Sequence, residues 1–396
     1  MIASLFLAVA LGVPVRSGSM AASSPRFIDE PPAAIASAAN GGSILATWRD
    51  NNNVAVARLY PWLLADRSSA YNFALQPDHT ASSNPQIATD GTEYLVAWSE
   101  VSSSSQFDAV AARFDLDGRL LEGPTIVRRG STESATLMLS NGVYKLAFGQ
   151  AIYDIAPHSI NTTRQGPIAT TRVAACGGDI LSASTAVVVG YNFGRNAGVF
   201  YWYEYRAEWL VTGAKISLQS LAVAPQFSTS LPAARTPRYA CTPQRCVIIY
   251  EIPLKETPVS TNPSSAQLSA AVLPCSSGAF STLVQNLATS QLNFNDARHP
   301  FGAAANGDDV LVVYMSGSGS EFRGIDGVML HLNGNVIATR EDFVISSSSS
   351  AANPTVAAAG DGFIVAYEVD EGNGMKHIEA LRAGPQPATP RHRATR

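Results

Sequence analysis

Charge is scarce in this chain of 396 residues: Lys, Arg, Asp and Glu make up only 15% of it, and the formal net charge is −4. That balance excludes the broad positive field by which a protein gathers nucleic acid. A long helical protein would carry more Glu, Lys, Arg and Leu than this. No apolar run reaches the roughly 18–20 residues needed to span a bilayer, so the mature chain is expected to have no transmembrane segment. Histidine is also sparse: His79, His158, His299, His331, His377 and His392 are scattered, none at the spacing of a zinc motif. The chain has no GxSxG elbow, P-loop or dinucleotide fingerprint. No catalytic residue, cofactor-binding residue or metal ligand is therefore assigned.

The four cysteines form no CxxC pair. Cys241 and Cys246 flank the turn Cys-Thr-Pro-Gln-Arg-Cys between two β-like runs, and a hairpin capped at both ends by Cys brings the two Cα atoms within bridging range. A Cys241–Cys246 disulfide is expected. Cys176 and Cys275 either pair or stay free. The first 21 residues read as a secretory signal peptide: an apolar run from Ile2 to Val15, then small residues around Ser19-Met20-Ala21, though with no Lys or Arg ahead of the run. The expected location is secreted, periplasmic or at the cell surface.

What the chain has in quantity is apolar residues, at 46%, arranged in a repeat. An apolar run, a polar turn usually with Gly, and a second apolar run ending in an aromatic recur along the chain. The pattern reads Ala-Asn-Gly-Gly-Ser-Ile-Leu-Ala-Thr-Trp48 and returns as Thr-Asp-Gly-Thr-Glu-Tyr-Leu-Val-Ala-Trp98. It recurs in forms ending at Phe148, Tyr314 and Tyr367, with looser copies near Tyr191 and Tyr250. Successive aromatics are 50, 50, 43, 59, 64 and 53 residues apart, the period of a propeller blade with loop insertions. Asn-Gly and Asp-Gly supply the positive φ angles of tight hairpins. The uncharged runs are those of strands buried on both faces, and the terminal aromatics are read as core.

A second hairpin follows in each unit. Phe114–Leu121 aligns with Leu330–Ile337, each a strand, an Asp-Gly or Asn-Gly turn and a strand. Fourth strands are expected near Thr125–Val127, Lys215–Leu218, Thr282–Val284 and Phe343–Ile345. The last unit has three candidate strands before Gly384-Pro385-Gln386-Pro387, and Arg26–Asp29 lies where a missing fourth would fall. The expectation is an all-β propeller of seven four-stranded blades over 22–383, the last blade closed by the N-terminal strand, followed by a disordered basic tail at 384–396. The count becomes six or eight if the looser copies are not units.

The stretch Asn84–Trp98, followed by Ala112-Arg113-Phe114-Asp115-Leu116-Asp117-Gly118, resembles the repeat of a broad, mostly uncharacterised group of secreted bacterial β-propeller-like proteins. The resemblance covers most of the mature chain and is good in the second, sixth and seventh units. It implies the fold and export. It implies no activity, since the group has no agreed catalytic residues.

Asp115-x-Asp117-Gly118 resembles the start of a calcium loop but lacks the later oxygen ligands, so it is read as a turn. Asn161-Thr162-Thr163 matches a glycosylation acceptor, relevant only in a glycosylating host. The most unusual local composition is Val199–Arg206 with Trp209. Strand alternation places Phe200, Trp202, Glu204 and Arg206 on one face and Tyr201, Tyr203 and Tyr205 on the other. Tyr201, Trp202, Tyr203, Tyr205 and Trp209 form either a packed third strand or an aromatic platform for sugar or peptide. The functional expectation is a secreted, non-enzymatic propeller that holds an unknown protein or glycan through loops on one face. The alternatives are a cell-surface structural or assembly protein, and an extracellular polysaccharide hydrolase or lyase with its site in the central funnel.

Overall fold

The computed structural model describes side chains within 85–164, 238–250, 267–275, 287–289, 301–317, 323–372 and 379–384, apart from a few loop positions; in the remaining strands it describes the backbone alone. Two short strands open the chain, β1 (Met20–Ala22) and β2 (Arg26–Ile28). The first four-stranded set is β3 (Ala34–Ser37), β4 (Ser43–Arg49), β5 (Ala55–Pro61) and β6 (Tyr71–Ala74). The second is β7 (Gln86–Thr89), β8 (Glu93–Ser103), β9 (Gln106–Asp115) and β10 (Leu120–Ser131). The third is β11 (Thr136–Ser140), β12 (Val143–Phe148), β13 (Ala151–Ile155) and β14 (Thr162–Pro167). The fourth is β15 (Val173–Cys176), β16 (Asp179–Asn196), β17 (Val199–Ile216) and β18 (Phe227–Ser230).

Then follow β19 (Arg235–Cys241), β20 (Arg245–Pro253), β21 (Ser265–Pro274) and β22 (Thr282–Gln291). The next set is β23 (Phe301–Asn306), β24 (Asp309–Ser318), β25 (Glu321–Asn333) and β26 (Val336–Ser346). The chain ends on β27 (Ala351–Ala359), β28 (Gly362–Asp370) and β29 (Lys376–Pro385). All neighbours pair antiparallel in chain order. The first strands of the sets lie side by side, β3 by β7, β7 by β11, β11 by β15, β15 by β19, β19 by β23 and β23 by β27, and β27 returns to β3, which closes the circle.

The expected seven separate sheets are not what the hydrogen bonds give. Five sheets are discrete blades, and a sixth is eight-stranded, containing β19 to β26. A single pair, Ser290 with Ser316, joins its two halves; Ser290 also faces Ala266 of β21, so β22 has a strand on each side at that point. The expected fourth strand at Lys215–Leu218 is also corrected: β17 continues through Ile216, and β18 begins at Phe227. At the ends, β2 pairs with β29 in the register Arg26 with Ala380 and Ile28 with Ile378. β1 lies further along the same strand, with Met20 opposite Pro385.

The core lies between neighbouring sheets. From Glu93 to Glu100 every residue of β8 is buried, so both of its faces are covered, as the uncharged run requires. Leu95 and Ala97 of β8 pack with Tyr144, Leu146 and Phe148 of the next sheet. Leu311 and Val313 of β24 pack with Phe363, Val365 and Tyr367 of β28. Each such side chain contributes about 1.5–3 kcal/mol on leaving water. The repeat aromatics Trp98, Phe148, Tyr250, Tyr314 and Tyr367 are at most 8% exposed. The indole of Trp98 donates to Glu100 Oε1 at 2.9 Å, which satisfies its one polar atom. The side chains of Trp48 and Tyr191 lie outside the described residues.

Candidate functional site

Within each set, chain direction puts the first-to-second and third-to-fourth turns at one end and the second-to-third loops at the other. These two ends of the ring differ in chemistry.

At the turn end, polar side chains tie each sheet to its neighbour. In the turn before β8, Asp90 Oδ1 accepts from the Thr92 N–H at 2.8 Å, the Thr92 hydroxyl at 2.8 Å and the Glu93 N–H at 3.1 Å. Burial works to raise the pKa of Asp90, but these bonds together outweigh it and hold the carboxyl below its ordinary value. The Tyr144 hydroxyl, from the next sheet, accepts the Asp90 N–H at 3.0 Å and donates to the Glu93 carbonyl at 3.1 Å. Burial pushes the ionisation of Tyr144 well up.

Beside this latch, Arg113 of β9 holds two carboxylates. Its Nε donates to Glu93 Oε1 at 3.1 Å, a second nitrogen pairs with Glu93 Oε2, and a third reaches Glu122 Oε2 at 3.2 Å. The hydrogen bond that the guanidinium donates to Glu93 is the main reason its pKa is raised. Glu122 Oε2 also accepts the Ile160 N–H at 2.9 Å, and His158 Nδ1 lies 3.3 Å from Glu93 Oε2. His158 adopts a left-handed backbone, φ 56°, with its side chain 72% exposed. Gly123, at φ 89°, lets the chain bend beside Glu122, and a Cβ there would stand 2.6 Å from the Ala111 carbonyl oxygen. Both oxygens of Glu93 and Oε2 of Glu122 are thus engaged by Arg113, a backbone N–H and His158. The arrangement can clamp two sheets together.

Further round the ring the pattern recurs. Arg245, next to Cys246, pairs with Asp308 and with the Gly334 carbonyl of the following hairpins. Asn306 Nδ2 donates to the Gly362 carbonyl at 2.8 Å. The Cys241–Cys246 disulfide is present, with Cα atoms 4.0 Å apart across a cross-strand pair. Cys275 is also disulfide-bonded, and among the described residues no cysteine is free. Asp115 Oδ1 accepts from the Asp117 and Arg119 N–H groups at 3.0 and 2.7 Å, so this carboxylate serves its own turn. Among the described residues no group of three or more His, Cys, Asp or Glu is placed to hold a metal ion.

The opposite end carries the β16–β17 ribbon. β15 pairs with β16 only over Asp179–Ser182, and β18 pairs with β17 only over Leu210–Gly213. Beyond these pairs, residues 183–196 bond only to β17 and residues 199–209 only to β16 among the described strands. At about 3.3 Å per residue the ribbon stands some 35 Å clear of its flanking strands. Tyr201, Trp202, Tyr203, Tyr205 and Trp209 all lie on it. Tyr201 is opposite Gly194, Trp202 opposite Phe193, Tyr205 opposite Tyr191 and Trp209 opposite Val187. The pairing skips Tyr203, so the regular period of two expected for this strand is broken there. The side chains of all five lie outside the described residues.

A second polar cluster, absent from the sequence reading, sits where β22 meets the next sheet. Burial raises the Asp326 pKa, and the nearby Asp342 carboxylate adds to it. Arg340 lies 3.2 Å from Asp342 and donates to the Leu287 carbonyl at 3.2 Å. Neither this cluster nor the Arg113 clamp had a motif to mark it, since its members come from separate strands.

No family model matches the chain, and no curated protein matches it. Among solved structures, hydrazine synthase of Kuenenia stuttgartiensis is similar at TM-score 0.50 and 10% identity, over 85% of this chain and 92% of that one. The β-propeller domain of the Trilobed protease of Pyrococcus furiosus is similar at TM-score 0.47 and 9% identity, over 89% and 95%. The Dos1 propeller gives TM-score 0.48 and 9% identity, over 91% and 95%. Identities this low speak to architecture alone. Sheets stacked in chain order around a closed circle of first strands make this chain an all-β protein with the β-propeller fold.

Proposed function

We propose that this protein is a secreted, non-enzymatic binding scaffold that holds a protein or glycan partner on the end of the ring from which β16 and β17 rise. The observation that carries this reading is the difference between the two ends. One is closed by short turns and inter-sheet clamps. The other bears an aromatic-rich ribbon that overruns its neighbours by residues 183–196 and 199–209. Function on a rigid repeat scaffold usually resides in such projections. In this reading the eight-stranded sheet counts as two four-stranded units hinged at Ser290 and Ser316, which makes seven units around the ring.

The test replaces residues 187–209 by a two-residue Asn-Gly turn, which joins Ala186 to Leu210, a pair that lies opposite in the ribbon. The shortened and full-length proteins are then passed over immobilised glycans and envelope proteins. The full chain is expected to be retained and the shortened one, with an unchanged unfolding midpoint, to flow through. Equal retention of both, or none by either, refutes the reading. The ribbon also favours an assembly role at the cell surface, because it exposes strand edges that other chains can join.

A further inference from the structure

Natural sheet edges are usually short, interrupted by proline or marked by charge, which prevents unwanted pairing. The outer edge of β17 is none of the first two. Over Val199–Trp209 it has no strand beside it among the described residues, since β18 joins only from Leu210. This stretch contains no proline. Its charges are Glu204, Arg206 and Glu208, which alternate in sign at every second position. A two-stranded ribbon is marginal by itself, so this edge gains from a third strand.

The charge order selects the partner. Laid antiparallel against itself about Tyr205, the segment places Glu204 opposite Arg206 of a second copy, and Arg206 opposite Glu204 of that copy. Moving the centre by one residue loses the match. About Glu204, that residue meets itself. About Arg206, Arg206 meets itself and Glu204 meets Glu208. Like charges directly opposite destabilise a strand pair, and opposite charges support it. The skipped residue, Tyr203, lies outside the three central pairs.

We propose that β17 pairs antiparallel with β17 of a second copy of this chain, with Tyr205 on the two-fold axis. Such an interface is isologous and closes at two subunits. The proposal uses the strand edge and does not depend on the partner-binding reading above, which concerns the loops and the faces of the ribbon.

Light scattering coupled to size exclusion tests it at low salt and at physiological salt. The wild-type chain is expected to be a dimer at tens of micromolar. Glu204→Arg opposes like charges twice and raises the dimer dissociation constant at least about tenfold. Glu204→Arg combined with Arg206→Glu restores opposite charges and returns the constant to within a few-fold of wild type. A second readout does not depend on those variants: Tyr205→Cys is expected to form a disulfide-linked dimer on air oxidation, and Thr185→Cys, on the other strand, is not. A monomeric wild-type chain overturns the proposal. So does a Glu204→Arg dimer of unchanged affinity, a folded double variant that stays monomeric, or equal cross-linking at positions 205 and 185.

Discussion

Tyr144 and Asp90 lie 54 residues apart in the chain and meet across two sheets, where the backbone N–H of Asp90 donates to the Tyr144 hydroxyl at 3.0 Å. The same hydroxyl donates to the Glu93 carbonyl, so one oxygen ties two backbone groups of the preceding turn to the next sheet. Tyr144→Phe keeps the ring and removes that oxygen. It is expected to lower stability by about 1–2 kcal/mol, because the Asp90 N–H loses its partner and the Glu93 carbonyl keeps only the Thr89 hydroxyl. Urea unfolding with an unchanged slope and a lower midpoint is the expected result. An unchanged midpoint contradicts the latch.

The Arg113 clamp makes a stronger prediction. Arg113→Leu leaves Glu93 buried without its counter-charge and is expected to cost about 3–5 kcal/mol. Glu93→Leu added to Arg113→Leu removes the stranded charge and recovers most of that loss. A double variant no better than Arg113→Leu alone would show that packing, and not the charge, accounts for the cost.

Acid titration separates two carboxyls by sign. Asp326 has a raised pKa, chiefly through burial, with Asp342 adding to it. Its stabilising contribution is full below the ordinary carboxylate value and is lost as pH rises through its folded-state value. Asp326→Asn abolishes that loss, so the variant gains on wild type between pH 4 and pH 7. Asp90 behaves in the opposite way: its lowered pKa gives stability above the ordinary value that is lost as pH falls through the folded-state value. Asp90→Asn is therefore expected to cost more at pH 7 than at pH 3. Unfolding midpoints at these pH values decide both, and pH-independent differences would contradict the assignments.

Two glycines with similar backbone angles should respond differently to one added methyl group. Gly142, at φ 72°, has nothing within 4 Å of a built Cβ, and Gly142→Ala is expected to cost about 1 kcal/mol. Gly123, at φ 89°, would bring its Cβ within 2.6 Å of the Ala111 carbonyl oxygen. Gly123→Ala adds a steric clash to the backbone strain and is expected to cost about 3 kcal/mol or more. Equal losses at the two sites would remove the close approach as the reason for glycine at 123.

How much of this is legible in the residues depends on how local the cause is. The hairpins before Trp98 and Tyr314 are written in a few adjacent residues, because Asp-Gly and Asn-Gly set their own turn geometry. The Cys241–Cys246 bridge is equally local, lying across one such turn. The aromatic ends of the repeat runs prove buried for the same reason that their flanks lack charge. The junction of Ser290 with Ser316 is different. It depends on two sheets meeting at one point, and no turn residue marks that point. The length of β17 was hidden likewise, since Thr212-Gly213 ahead of Lys215 reads as a break between strands, yet β17 runs through it to Ile216. Arg113, Glu93, Glu122 and His158 look like unrelated surface charges in sequence, and only folding brings them within 3.3 Å of one another.

Arg26–Ile28 and Ile378–Ala380 sit side by side, though almost the whole polypeptide separates them. During synthesis the leading segment therefore emerges long before its neighbour exists. It must wait, unsatisfied and open to proteases or chaperones, until the final ribbon leaves the ribosome. Assembly of the closing sheet is thus a late step, and a truncation inside either strand removes the pairing that completes it.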